Sequence, residues 1–267
     1  DKMGVIHLVP RFGIYAMRPE EDARRACELA NLALGAARSS ADNTVAFYQD
    51  LDQNAFFENM QLEDRFDEAI GEHQFKAYYQ PKCNPKTGEI VGGEALVRWV
   101  QEDGTMLSPA RFIPLFEKNG DIIKLDKYVL EETCAKIRKW LDLGYDVSPI
   151  SVNVSLLQLL DENFVEDHIK TVEKYGIPLN LIEIEFTESI LAENESLLIS
   201  LTKQCKKHGI KVLLDDFGSG YSSLNMLNLL PCDIVKLDKR FVDKLETDDK
   251  SKAIVSSAIS LAHTLQM

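Results

Sequence analysis

Four carboxylates, one amide and one amine interrupt or close apolar runs in this chain. Glu94 lies inside Gly93-Glu94-Ala95-Leu96, and Asn153 closes Ile150-Ser151-Val152-Asn153. Glu185 nearly ends Leu181–Phe186, Asp215 ends Ile210–Asp215, and Lys236 and Asp238 end Asp233–Asp238. A lone carboxylate is costly to bury unless it is paired or bound to a metal. If these runs are strands of one sheet, they bring several oxygens to one rim. Oxygen ligands without His or Cys suit Mg²⁺ or Mn²⁺ rather than zinc or copper. Each residue taken singly has a plainer reading. Glu94 can pair with Arg98, Asp215 and Asp216 can form a turn or cap a helix near Ser222, Asn153 can be a satisfied core amide, and Lys236 can reach solvent. The recurrence at successive run ends favours the shared metal site.

The elements that must position these groups alternate. Strands are expected at 75–80, 89–100, 149–154, 181–186, 210–215 and 233–238. Helices are expected at about 109–119, 122–143, 162–175, 194–208, 222–229 and 250–266. Breakers fall between them at Gly144, Gly176-Ile177-Pro178, Gly209 and Pro231. Repeated strand–helix units imply a parallel sheet covered by helices, either a barrel or an open doubly wound sheet. In a barrel, catalytic groups gather at the C-terminal strand ends. No GxGxxG follows a strand, which counts against a dinucleotide-binding domain.

The first fifth of the chain reads differently. A strand is expected over 5–17, and Pro19 with Glu20–Asp22 opens a helix running to about Ser39. Ala30, Ala33, Leu34 and Ala37 share one face of that helix. A short strand at Val45–Tyr48 and a polar boundary at Gln49–Asn54 follow. An amphipathic helix is then expected over 55–72, with Phe56, Met60, Leu62, Phe66 and Ile70 as its stripe.

Composition narrows the class. The chain has 267 residues, 45 % apolar and 27 % charged, as in soluble globular proteins. No apolar run approaches the roughly 20 residues that span a bilayer, so no membrane contact by this segment is expected. The start, Asp1-Lys2-Met3, carries no signal-peptide pattern and reads as cut from something longer. A net charge of −13 repels polymeric nucleic acid and anionic membranes. Five scattered cysteines without a CxxC pair favour reduced thiols in a cytoplasmic compartment. Five histidines make no HxxxH or HExxH pair, so a histidine-based zinc site is not expected.

Six segments in order now carry a resemblance: Tyr79-Gln80-Pro81-Lys82, Glu94-Ala95-Leu96-Val97-Arg98-Trp99, Asn153-Val154-Ser155, Glu185-Phe186-Thr187-Glu188-Ser189, Asp215–Leu224 and Lys236-Leu237-Asp238. Together they resemble the EAL family of cyclic-di-GMP phosphodiesterases over residues 56–267. The resemblance implies a modified (β/α)₈ TIM-type barrel that linearises cyclic di-GMP to pGpG with two divalent ions, Mg²⁺ or Mn²⁺, in bacterial signalling. It implies Glu94, Asn153, Glu185 and Asp215 as ligands of one ion, and Asp216 as a ligand of the second with Asp215 bridging. Lys236 is implied to orient or activate the attacking water. Gln80, Arg98 and Asp238 are implied substrate contacts, Arg98 at a phosphate. Glu188 is implied to anchor the loop Asp216–Ser223, which shapes the metal site and a homodimer surface.

Residues 11–15 and 30–38 resemble, more weakly, the last strand and helix of a GGDEF-type domain. The expected division is therefore a GGDEF remnant at 1–52 and an EAL domain at 53–267. The family continues after the helix at 250–266 with a strand bearing EGVE and another beyond it. Two strand–helix units and a second-metal glutamate are expected to be missing, with activity of the chain lost accordingly. The competing expectation is a catalytically silent EAL domain that binds cyclic di-GMP as a receptor or serves as a dimerisation module. An upstream region of a parent protein could attach it to a membrane.

Overall fold

Alternation of apolar and polar residues sets each strand's two faces. The computed structural model describes residues 10–39, 44–50, 53–218, 227, 230–243 and 245–267, the side chains of 38–39, 53–56 and 191–193 apart. The expected helix 222–229, apart from residue 227, the start of the strand at 5–17 and the Phe56 side chain lie outside the described residues. The chain divides into two compact units, Asp1–Phe66 and Asp67–Met267.

In the first unit, β1 (Phe12–Ile14) pairs in parallel with β2 (Val45–Phe47) across the intervening α1 (Ala23–Ser39). Ala33 and Ala37 on the expected apolar face are fully buried. Gly13 is required there: a Cβ would lie 2.1 Å from Ala30 O and Leu34 N of α1. The helix starts later than expected because the Glu21 carboxylate accepts from Tyr15 Oη (2.7 Å) and Arg18 N (2.9 Å), holding 18–21 as a turn. The expected single helix at 55–72 is two, α2 (Gln53–Asp64) and α3 (Phe66–Gly71), and Met60 is exposed. Leu62 and Phe66 of the expected stripe are buried, joined by Ala69.

The second unit is built on a seven-stranded sheet: β3 (Phe75–Cys83), β4 (Ile90–Val100), β5 (Met106–Leu107), β6 (Ile150–Asn153), β7 (Ile182–Thr187), β8 (Lys211–Phe217) and β9 (Ile234–Leu237). The order is β3-β4-β6-β7-β8-β9, with β5 paired on β4. All neighbours from β4 through β9 on that path are parallel. The first strand corrects the all-parallel expectation, since β3 runs antiparallel to β4. Asn84 and Gly88 turn the chain back between them: the Asn84 side chain accepts from Lys86 N (2.9 Å), and Gly88 takes a φ of 75°. Among the described residues, β3 and β9 are edge strands and no strand joins them.

Helices follow the parallel strands. They are α4 (Pro109–Asn119), α5 (Ile122–Asp142), α6 (Leu156–Leu159), α7 (Phe164–Lys174), α8 (Glu188–Glu193), α9 (Glu195–Lys207), α10 (Lys239–Val242) and α11 (Asp249–Thr264). On β7, Ile182, Ile184 and Phe186 are buried, and the latter two join a core with Leu198, Leu201 and Cys205 of α9 and Val212 and Leu214 of β8. Glu183 and Glu185 fall on the opposite, inner face. A second cluster is aromatic: Phe75 and Trp99 rings lie 4.8 Å apart and pack on Phe112 and Phe116 of α4. Trp99 Nε1 donates to buried Gln74 Oε1 at 3.0 Å. Trp140, at the end of α5, meets Tyr79 edge-on at 5.3 Å, with Lys136 Nζ 5.6 Å above its ring.

Candidate metal centre

Strand register brings the chemistry together. Glu94 on β4 is level with Ser151 on β6, Asn153 with Glu185 on β7, and Thr187 with Asp215 on β8. Level residues share a face, so Glu94, Ser151, Asn153, Glu185 and Asp215 all look inward. Carboxylate oxygens of Glu94, Glu185 and Asp215 all lie within 4.8 Å of one another.

Lys236 Nζ stands among them. It pairs with Glu94 Oε2 at 2.8 Å, Asp215 Oδ2 at 3.1 Å and Glu185 Oε1. Burial alone would push the Lys236 ammonium down, but Glu185 and then Glu94 outweigh it and hold it above its ordinary value. Glu185 is wholly buried, and burial pushes its carboxyl up against the pull of Lys236. Three carboxylates around one ammonium leave a formal surplus of two negative charges.

A bulge places the second acid. Leu214 is level with Val235 and Phe217 with Leu237, so Asp215 and Asp216 together oppose Lys236. Such a bulge bends the strand and re-aims side chains. Asp216 takes a φ of 55°, a left-handed conformation that Asp tolerates better than most residues, and its N–H donates to Asp215 Oδ1 at 2.8 Å. Burial, then Asp215 and Asp238, raise its carboxyl. Gly218 follows with φ 93°, and a Cβ there would stand 2.5 Å from the Phe241 ring.

The other expected residues are placed as follows. Asn153 Nδ2 lies 3.1 Å from Glu94 Oε1. Glu188 begins α8 and is fully buried, and its Oε2 accepts from Gly218 N at 2.6 Å. Gln80 is exposed on β3, directly opposite Glu94. Arg98 lies on the same face of β4, about 13 Å further along at roughly 3.3 Å per residue, and does not join the cluster. Its Nη1 donates to Val97 O at 2.8 Å, and Glu94 pairs with Lys236 instead of with Arg98. Asp238 is engaged elsewhere: it caps α10 through Arg240 N at 2.7 Å and holds the Arg240 guanidinium with both oxygens. Three inward residues escaped the sequence reasoning, namely Lys82, Ser151 and Glu183. Period-2 alternation from Glu185 and Asn153 puts Glu183 and Ser151 on the inner face and is the signal that finds them.

The donor set fits a hard divalent cation. Its atoms are the carboxylate oxygens of Glu94, Glu185 and Asp215, no His or Cys among the described residues belongs to the cluster, and the surplus charge is negative. The strand ladder, the helices following its parallel strands and the acids at one rim define an α/β TIM-like barrel with an acidic centre at the C-terminal strand ends.

The chain belongs to the EAL domain family, whose profile matches residues 63–267. It is 33 % identical over 258 residues to the signaling protein YkoW of Bacillus subtilis, covering 94 % of this chain and 32 % of YkoW. It is 32 % identical over 238 residues to the bifunctional diguanylate cyclase/cyclic di-GMP phosphodiesterase MucR of Pseudomonas aeruginosa, covering 89 % of this chain and 35 % of MucR. The solved PaMucR phosphodiesterase in complex with c-di-GMP superposes with a TM-score of 0.73 at 33 % identity, over 78 % of this chain and 84 % of that one. The chain spans about a third of the length of these two curated relatives.

Proposed function

We propose that the barrel hydrolyses cyclic di-GMP to linear pGpG at the Glu94–Glu185–Asp215 centre. The observation that carries the reading is the convergence of these carboxylates on Lys236 at the C-terminal rim of an EAL domain. Relatives named as cyclic di-GMP phosphodiesterases support the substrate. Glu94, Asn153, Glu185 and Asp215 would hold one divalent ion, and Asp216 with Asp215 a second. Bound there, such ions lower the pKa of water and stabilise attacking and leaving oxygens in an in-line displacement at phosphorus.

The chain's own groups do the rest. Lys236, kept protonated, donates from Nζ to orient the attacking water and to meet charge developing on the phosphoryl oxygens. Arg98, beyond the centre on the same face, takes a substrate phosphate through its fork of N–H donors. Gln80, opposite Glu94, offers an amide to the substrate. Glu188 holds the Asp216–Gly218 backbone so that both aspartates stay aimed at the rim. The test is chromatography of cyclic di-GMP incubated with Mg²⁺, with Mn²⁺ and with a chelator. Metal-dependent pGpG supports the reading. Binding without turnover would favour the receptor alternative.

The same proposal covers what surrounds the barrel. Residues 1–52 are read as the end of a GGDEF-type domain, supported by the β1–α1–β2 arrangement and by the two activities named for MucR. Homodimerisation through the EAL domain rests on the family resemblance, and sedimentation analysis tests it. No helix among the described residues is long and apolar enough to cross a membrane.

A further inference from the structure

Beneath the centre lies a directional chain of hydrogen bonds. Ser151 is fully buried on β6, between Glu94 on one neighbouring strand and Glu183 on the other. Its Oγ lies 2.7 Å from Glu185 Oε2, 3.1 Å from Lys82 Nζ and 3.4 Å from Gly93 O. An ammonium has only protons to give, so Lys82 must donate to Ser151 Oγ. The serine proton then goes to Glu185 Oε2, the nearer and charged acceptor, in preference to the Gly93 carbonyl. Glu185 is thereby tied at Oε2, while Oε1 is left facing Lys236 and the cation site. Lys82 is itself fixed from the side by Glu183, a 3 % exposed carboxylate whose Oε2 is 3.1 Å from its Nζ. Lys211 Nζ stands 4.0 Å from the other oxygen of Glu183.

We propose that Ser151 and Lys82 are positioning residues: through Ser151 they fix the Glu185 carboxylate and so set the affinity of the centre for a divalent cation. This rests on the metal reading of the centre. Partners that orient a metal ligand typically carry about 10- to 100-fold in metal affinity.

The test is a Mn²⁺ titration of the whole chain, with free Mn²⁺ read by electron paramagnetic resonance and metal-free melting temperature read beside it. Ser151→Ala should raise the half-saturating Mn²⁺ concentration about 10- to 100-fold, with metal-free melting close to the parent's. Lys82→Met should shift it in the same direction by less, because the hydroxyl can then turn toward Gly93 O. The double variant should be no weaker than Ser151→Ala alone, since Lys82 acts through the hydroxyl. Additive losses, or unchanged Mn²⁺ binding in Ser151→Ala, overturn the positioning role while leaving the metal site standing. A parent chain that binds no Mn²⁺ overturns the metal reading and this inference together.

Discussion

The Gly218 amide donates to Glu188 across 2.6 Å, tying the backbone just past the two aspartates to a carboxylate with no solvent exposure. A charged acceptor in a buried setting holds an amide more firmly than a neutral one. Glu188→Ala should therefore loosen the Asp216–Gly218 backbone without removing a metal oxygen. Activity should fall about 10- to 100-fold, with a matching rise in the metal concentration that gives half-maximal rate. An unchanged metal titration curve would sink the tether.

Asp215→Ala should abolish metal-dependent hydrolysis. Asp215 is the one carboxylate that both faces Lys236 and shares the bulge with Asp216. The fold should persist, because Lys236 keeps Glu94 and Glu185 as partners and a repulsion with Asp216 is relieved. Turnover within about tenfold of the parent would remove Asp215 from the chemistry.

Lys236→Met should separate binding from catalysis. Without the ammonium, three clustered carboxylates repel one another and the metal-free chain melts lower, so a divalent cation has more to stabilise. Turnover should drop by about a hundredfold or more, while the Mn²⁺-induced rise in melting temperature grows. A Mn²⁺ effect smaller than the parent's would show that Lys236 supports the ion instead of standing in its place.

Arg98→Ala should raise KM by about tenfold or more with kcat little changed, since a hydrogen bond to a charged group is worth roughly 1.5–3 kcal/mol. Its distance from the carboxylate cluster argues for binding over bond-breaking. A collapse of kcat at constant KM would place Arg98 in the chemistry.

His168 carries an acid-lability. It is buried, neither ring nitrogen has a hydrogen-bond partner among the described residues, and burial pushes its pKa down to about 4. The unfolded chain, with an ordinary His near 6.5, binds the proton first. This part of the stability is present above that value and is lost as pH falls toward 4. Asp126 works the other way. Burial raises it to about 7, so its contribution is present below the ordinary Asp value and fades as pH rises through 7. His168→Leu removes the first part and leaves the second in place. The variant should gain on the parent between pH 7 and pH 4, by at most about 3 kcal/mol at 1.36 kcal/mol per unit. Parallel denaturation curves at the two pH values would refute it.

Much of the barrel was legible because its strands are short β-branched runs cut off by Gly and Pro. Ile150–Asn153 and Ile182–Thr187 fall within a residue of the expected bounds. The direction of β3 was not read, since alternation says nothing of parallel or antiparallel, although Asn84 and Gly88 are turn residues between two strands. The bulge at Asp215-Asp216 was hidden for a related reason: it arises from a mismatch with Lys236, which is distant in sequence. The commitment of Asp238 to Arg240 depends on where α10 starts, and helix ends are poorly fixed by sequence. Sequence reasoning found the acids at the strand ends and overlooked the groups beneath them, because a serine and a lysine in apolar runs look ordinary until a register places them against a glutamate.

Two tryptophan environments, one on a strand and one on a helix, make the barrel its own reporter. The chain has two tryptophans. Trp99 is fully buried among Phe75, Phe112 and Phe116, which shields its indole from water and shifts its emission to short wavelength. Trp140 is half-buried beside Tyr79 with an ammonium over its ring, so its emission is redder and open to an aqueous quencher. Selective quenching by iodide, or Trp140→Phe, therefore leaves the signal of a single tryptophan, in the aromatic cluster where β3 and β4 meet α4. Unfolding of that cluster can then be followed optically through Trp99 alone.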